Sequence, residues 1–160
     1  MVLRYFPLAS RLQRLYMSSK TAMHMRWHKE GVRRDSVVIS HPTDGEAWKQ
    51  FDLMHPEFSS DCRNIRLGLC TDGFNPFTSS STPYSCWPIF LTLYNLPPGM
   101  CMDRRNLFLT LVIPSPKSLG KSIDVCLRPL IDELLVLWNE GICTFDAHRK
   151  QNFNMKGALM

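Results

Sequence analysis

Residues 66–90 read RLGLCTDGFNPFTSSSTPYSCWPIF. Just before and through its start, Ile65, Leu67 and Leu69 alternate with Arg66, Gly68 and Cys70, the period of a half-buried strand. The run stops at Asp72, and Gly73-Phe74-Asn75-Pro76 follows with turn chemistry. An acid in that place has two readings. It is a turn former, the commoner role of Asp before Gly, or it is one arm of a site whose other arms lie elsewhere in the chain.

Working outward, a Ser-rich loop over 78–83 leads to an apolar, β-prone segment, Trp87–Leu96, stopped by Pro97-Pro98-Gly99. Leu107–Ile113 is a third strand candidate, ended by Pro114-Ser115-Pro116. A helical period follows, with Ile123, Leu127, Leu130, Ile131, Leu134, Leu137 and Trp138 on one stripe. Asp124, Arg128, Asp132, Glu133 and Asn139 take the other side. Pro129 predicts a kink or a late start, and Gly141 predicts the stop. The tail, 142–160, carries weak hairpin signals around Thr144-Phe145 and Phe153, with no further strand expected after it.

On the amino-terminal side, residues 7–30 read as one helix, opened by Pro7 and faced by Leu8, Leu12, Leu15 and Met23. Gly31 ends it, and Val37-Val38-Ile39 is a short strand candidate in the connector. Thr43 and Glu46 have capping-box spacing ahead of a short helix through Trp48, Phe51 and Met54, closed by His55-Pro56. Loop is expected from there to about residue 64.

The 160 residues suffice for one domain with a sizeable core, and 44% hydrophobic with 21% charged residues is a globular composition. No apolar run approaches the 18 or so residues that cross a bilayer, so the expectation is a soluble chain with no membrane partner. Six cysteines, at 62, 70, 86, 101, 126 and 143, show no paired spacing and sit in apolar runs, as small buried groups of a reducing compartment do. The net charge of +5 is uneven, because residues 1–35 carry eight Lys or Arg against Glu30 and Asp35. Such a basic end has a bland reading, a solvated helix face, and a functional one, contact with an anionic polymer through Arg11, Arg14, Lys20, Arg26 and Lys29. His24 and His28 are four apart, but a zinc-protease helix needs Glu where Met25 stands. No glycine-rich phosphate loop or Gly-x-Ser-x-Gly elbow is present, so nucleotide hydrolysis, serine-hydrolase chemistry and small-molecule substrates lack support.

Several phrases, in order and over nearly the whole chain, carry a resemblance: YFPLASRLQRLYMSSKTAMHMRWHKEG, HPTDGEAWKQFDLMHPEF, RNIRLGLCTDGFNPF, YSCWPIFLTLYNLPPGMCM, LVIPSPKSLGKSIDVCLRPLIDELLVLW and FDAHRKQNFNMKGALM. The chain resembles the central part of transposases of plant CACTA-type (En/Spm) DNA transposons. The resemblance implies a DDE-type enzyme of ribonuclease H-like fold that cuts and joins DNA at transposon ends in the nucleus, using Mg²⁺. It casts Asp72 as the first catalytic acid and metal ligand. Such enzymes continue past FNMKGAL to a second acid, in a phrase like N-D-F-P-A-Y-G, and later to a third, and neither acid stands in this sequence.

The expected architecture is therefore α/β: an incomplete ribonuclease H-like fold, a three-stranded antiparallel meander plus crossover helix, behind a helical basic leader. Residues 1–64 form the leader and linker, and 65–160 the truncated start of the catalytic domain. The expected function is that of a transposase fragment, inactive alone. Two alternatives stay open: a non-catalytic DNA-binding or interaction module using the basic leader, and a domesticated transposon-derived protein. A missing fourth strand predicts an unpaired apolar edge and a tendency to aggregate.

Overall fold

The structure is a computed structural model and describes residues 2–31, 39–77, 84–115 and 123–160. The candidate strand at 37–39 falls mostly outside these residues, with Ile39 described as exposed coil, and the Ser-rich loop lies outside them entirely.

In chain order, strand β1 (Arg4–Tyr5) precedes helices α1 (Ala9–Met17), α2 (Ser19–His24) and α3 (Trp27–Glu30). Helices α4 (Glu46–Met54) and α5 (Pro56–Ser60) lead into strand β2 (Ile65–Thr71). Strand β3 (Ser85–Leu93), the short helix α6 (Pro98–Cys101) and strand β4 (Phe108–Ser115) come next. Helix α7 (Ile123–Asn139) is followed by strands β5 (Ile142–Asp146), β6 (Gln151–Met155) and β7 (Gly157–Leu159).

One mixed sheet has the order β1-β4-β3-β2-β7, and β5-β6 is a separate hairpin. β2, β3 and β4 form the expected antiparallel meander. The expectation that no strand follows the long helix is overturned. β7 lies parallel to β2, with Ile65 opposite Gly157 and Leu67 opposite Leu159. The edge predicted to be bare is thus covered over the first half of β2. A parallel neighbour needs a crossover, and α7 with the hairpin supplies it.

Two prolines inside strands are placed where a missing N–H does not break the β3–β4 ladder. Phe74 and Cys86 exchange both backbone bonds, at 3.0 and 2.8 Å, so the main-chain groups of Cys86 and, two residues on, Pro88 point toward β2. Pro114 sits opposite Cys86 and turns its nitrogen outward, beyond the short β1, so β4 runs on to Ser115 instead of ending at Pro114.

The helical leader is not one helix and not a separate leader. Ser18 adopts an extended conformation (φ −99°, ψ 121°) and splits α1 from α2. Leu8, Leu12, Tyr16, Ala22 and Met25 are buried in the same core as Ile65, Leu67, Ile89, Leu91, Leu111 and Ile113 from the sheet, while Met23 is exposed. β1 extends that sheet, so the boundary drawn at 64/65 runs through one continuous core. α1 has no capping side chain of its own; Glu133 from α7 accepts from the backbone N–H groups of Leu8 (2.8 Å) and Ala9 (2.8 Å) and from the Tyr5 hydroxyl. Burial, with the Glu133 carboxylate beside it, pushes the Tyr5 phenol well above its ordinary pKa.

The capping box near residue 43 belongs to a different turn. Asp44 Oδ2 accepts from His41 N at 3.0 Å and His41 Nδ1 from Thr43 N at 3.3 Å, while α4 starts after Gly45 without a side-chain cap. The segment after it is helical (α5), not loop. α7 runs uninterrupted through Pro129, because the carbonyl its ring deprives of a partner is that of Val125, on the exposed side. Gly141 ends it with φ 74°, and a Cβ there would meet the Asn154 side chain at 2.6 Å. Asn154 Nδ2 in turn donates to the Glu140 carbonyl at 2.7 Å.

Candidate functional site

The core meander positions Asp72 as the residue that follows β2. The β2–β3 register, Thr71 opposite Ile89 and Phe74 opposite Cys86, puts Asp72 opposite Pro88. That position should be a doubly bonded rung, and Pro88 has no N–H to donate to the Asp72 carbonyl. The Pro88 carbonyl accepts instead from Thr71 Oγ1 at 2.9 Å. The strand therefore ends at Thr71 although the hairpin continues, and the Asp72 side chain stands exposed. Gly73 is needed next to it, since the Trp87 ring lies where a Cβ would be, 2.6 Å away. Phe74 and Phe77 are exposed beyond, and the Phe77 ring meets Tyr84 edge-on at 5.3 Å.

No other candidate acid joins it. Asp132 pairs with Arg128 on α7 at 2.8 Å, Glu133 caps α1, and Asp124 is exposed at the start of α7. Among the described residues no three His, Cys, Asp or Glu side chains are gathered as a metal would require. A cleft of about 370 Å³ opens between α4, α7 and β7, but its lining is apolar apart from His55, and Asp72 does not border it.

The basic side chains separate into two groups. Arg26 is buried and paired with Glu30 at 2.9 Å, and Arg11 donates to the Leu109 carbonyl at 2.7 Å while lying over the Phe108 ring. Both cations hold the fold together. Arg14, Lys20 and Lys29 are exposed. His24 and His28 are not brought together on a ligand. His28 Nε2 accepts from Arg66 Nη1 at 3.3 Å, and its ring packs against Trp48. Burial first, then the Arg66 charge, pushes the His28 pKa down to about 4, which keeps it neutral and able to accept.

Arg66 itself was missed by the alternation pattern, which puts it on the solvent side of its strand. It is 2% exposed, bound to Asp52, and its guanidinium lies over the rings of Trp48 (4.4 Å), Phe58 (5.3 Å) and Phe51 (5.7 Å). Asn95 completes the anchorage of β2: its Oδ1 accepts from Arg66 N at 2.8 Å, and its Nδ2 donates to the Asn64 carbonyl at 2.9 Å. Asn64 Oδ1 accepts from Lys156 N at 2.9 Å, which sets β7 against β2. The available signal was the aromatic spacing of Trp48, Phe51 and Phe58 around Asp52.

A family model described as "Transposase family tnp2" matches residues 35–160, about four fifths of the chain. No curated protein and no solved structure matches it.

Proposed function

The chain belongs to the transposase family tnp2, and on that premise we propose that it serves cut-and-paste transposition of CACTA-type (En/Spm) elements as a DNA-binding polypeptide of DDE-type, ribonuclease H-like ancestry. The observation that carries this reading is the sheet around Asp72. A three-stranded antiparallel meander, a crossover through α7, and a strand β7 laid parallel to the first strand are the elements such a fold is built from. Asp72 stands at the carboxyl end of that first strand, where the first catalytic acid of a DDE enzyme belongs.

Mg²⁺ demands hard oxygen ligands in a near-octahedral set, and two-metal phosphodiester chemistry needs several carboxylates converging on one point. Asp72 supplies one carboxylate, and the remaining acids of the described residues are paired, capping, or placed on other elements. These residues do not compose a Mg²⁺ site, and no cleavage step is assigned to them. What the chain offers instead is exposed cations, Arg14, Lys20 and Lys29 among them, for chromosomal DNA in the nucleus, bound through its phosphates and sensitive to salt.

The test is incubation of the purified chain with supercoiled plasmid and Mg²⁺. The expected result is retarded but uncut plasmid at low salt. Nicking that disappears in Asp72→Asn overturns the non-cleaving assignment, and absence of binding at low salt overturns the DNA-binding one.

A further inference from the structure

The β5–β6 turn, Asp146-Ala147-His148-Arg149-Lys150, is held unusually firmly for an exposed loop. The fully buried Asp146 accepts through Oδ1 from the backbone N–H groups of His148 (2.9 Å) and Arg149 (3.1 Å). Ala147 N donates to the Tyr16 carbonyl at 2.9 Å, tying the turn to the end of α1. The tip therefore lies beside the start of α2, where Ser19 Oγ and His148 Nδ1 are 3.4 Å apart and Lys20 comes next. Arg149 also reaches Glu30 on α3 at 3.1 Å, the same carboxylate that Arg26 holds.

The charge balance follows from these contacts. Glu30 is shared by two guanidinium groups, Asp61 is engaged by Arg63 at 2.7 Å, and Asp146 is buried beneath the turn. Lys20, Lys29 and Lys150 are exposed with no carboxylate partner among the described residues. Lys150 moreover adopts a left-handed backbone conformation, φ 55°, which glycine takes without the penalty of a side chain. A rigid turn thus brings cations from 148–150 next to cations from 20–29, segments more than a hundred residues apart.

We infer that this turn and the start of α2 together form a contact surface for the phosphate backbone of duplex DNA. The identity of the polyanion rests on the transposase reading above; the location rests on the geometry alone. The patch lies at the amino end of β2, since Arg63 Nη1 stands 3.9 Å from Asp146 Oδ2. Asp72 follows the other end of the same strand, about 23 Å from Ile65 at ~3.3 Å per residue.

The experiment is a salt titration of affinity for a 5′-labelled duplex of random sequence, followed by fluorescence anisotropy. It compares the native chain, the double variant Lys20→Gln with Lys150→Gly, and Lys49→Ala on α4 as a charge control. Both altered side chains are exposed and glycine suits the backbone at 150, so the double variant should melt as the native chain does. Loss of two phosphate contacts lowers the salt slope by about two and weakens binding at least about tenfold at 0.1 M salt. Lys49→Ala should stay within about twofold at the same salt, since it contacts no phosphate in this arrangement. A native chain that binds while the double variant keeps its affinity and slope, or loses no more than Lys49→Ala, overturns the patch and leaves the DNA-binding reading standing. A native chain that does not bind overturns both.

Discussion

The two halves of β2 share one alternating sequence and have opposite fates. In the first half, Ile65 and Leu67 lie in the core on one face, while Arg66 is enclosed by three aromatic rings and Asp52 on the other. β3 and β7 pair with it on both edges. In the second half, Leu69, Cys70 and Thr71 are exposed, and β3 is the only described neighbour. The strand is a clamped beam at one end and an open ledge at the other, and Asp72 stands at the tip of the ledge. Alternation shows that a segment has two faces. It carries no information about how far along the segment each face is covered.

The largest expected effect tests the clamped end directly. Leu67→Ala should destabilise the fold by about 2–5 kcal/mol in chemical denaturation, as core truncations do. Equal losses for Leu67→Ala and Leu69→Ala would erase the contrast. Asp52→Ala should cost somewhat less, about 2–3 kcal/mol, because it leaves the Arg66 guanidinium buried without a carboxylate. If Asp52→Ala melts like the native chain, the enclosure of Arg66 is no clamp.

Acid should attack the same end. His28 has a folded pKa of about 4 against an ordinary value of 6.5, so the unfolded chain takes up the proton first. Stability is then intact above pH 6.5, falls as the pH drops through 6.5, and stops falling on this account near pH 4. The shift is worth about 3 kcal/mol in all. Stability measured from pH 7.5 to 4 should therefore slope less steeply in His28→Gln than in the native chain, and parallel slopes would show that His28 charges freely in the fold.

The smallest effects belong to the ledge. Leu69→Ala and Asp72→Asn should each change stability by less than about 0.5–1 kcal/mol, as exposed substitutions do. A large loss from Asp72→Asn would mean that the acid is a structural turn residue after all.

Much of the β-meander was legible because each strand carries its own period, as in Leu67 with Leu69 and in LFLTLVI; the stops were less so, since β3 ends at Leu93, ahead of Pro97-Pro98-Gly99, and β4 runs past Pro114. Gly141 was legible for the same local reason. What escaped is long-range. β7 is only Gly-Ala-Leu, too short for any period, and it is a strand because Asn64 and β2 supply its partners. Arg66 looks like a solvent-side residue until α4 and α5 fold over it. The break at Ser18 has no Pro or Gly to announce it, and the two basic segments that meet at the β5–β6 turn share no local pattern. Asp72 was legible as a solitary acid at a strand end. Its solitude among the described residues follows from where Glu133 and Asp132 go, and their spacing on a helix does not reveal that.

Pro88 adds a constraint that reaches past its own strand. The β2–β3 hairpin stays paired on both sides of this point, and an imino nitrogen withholds only the rung that would lock Asp72 into the ladder. The main-chain oxygen of Asp72 receives no amide from Pro88 and stands beside an exposed carboxylate, so a single ring closure leaves that corner of the molecule with two acceptor groups from one residue.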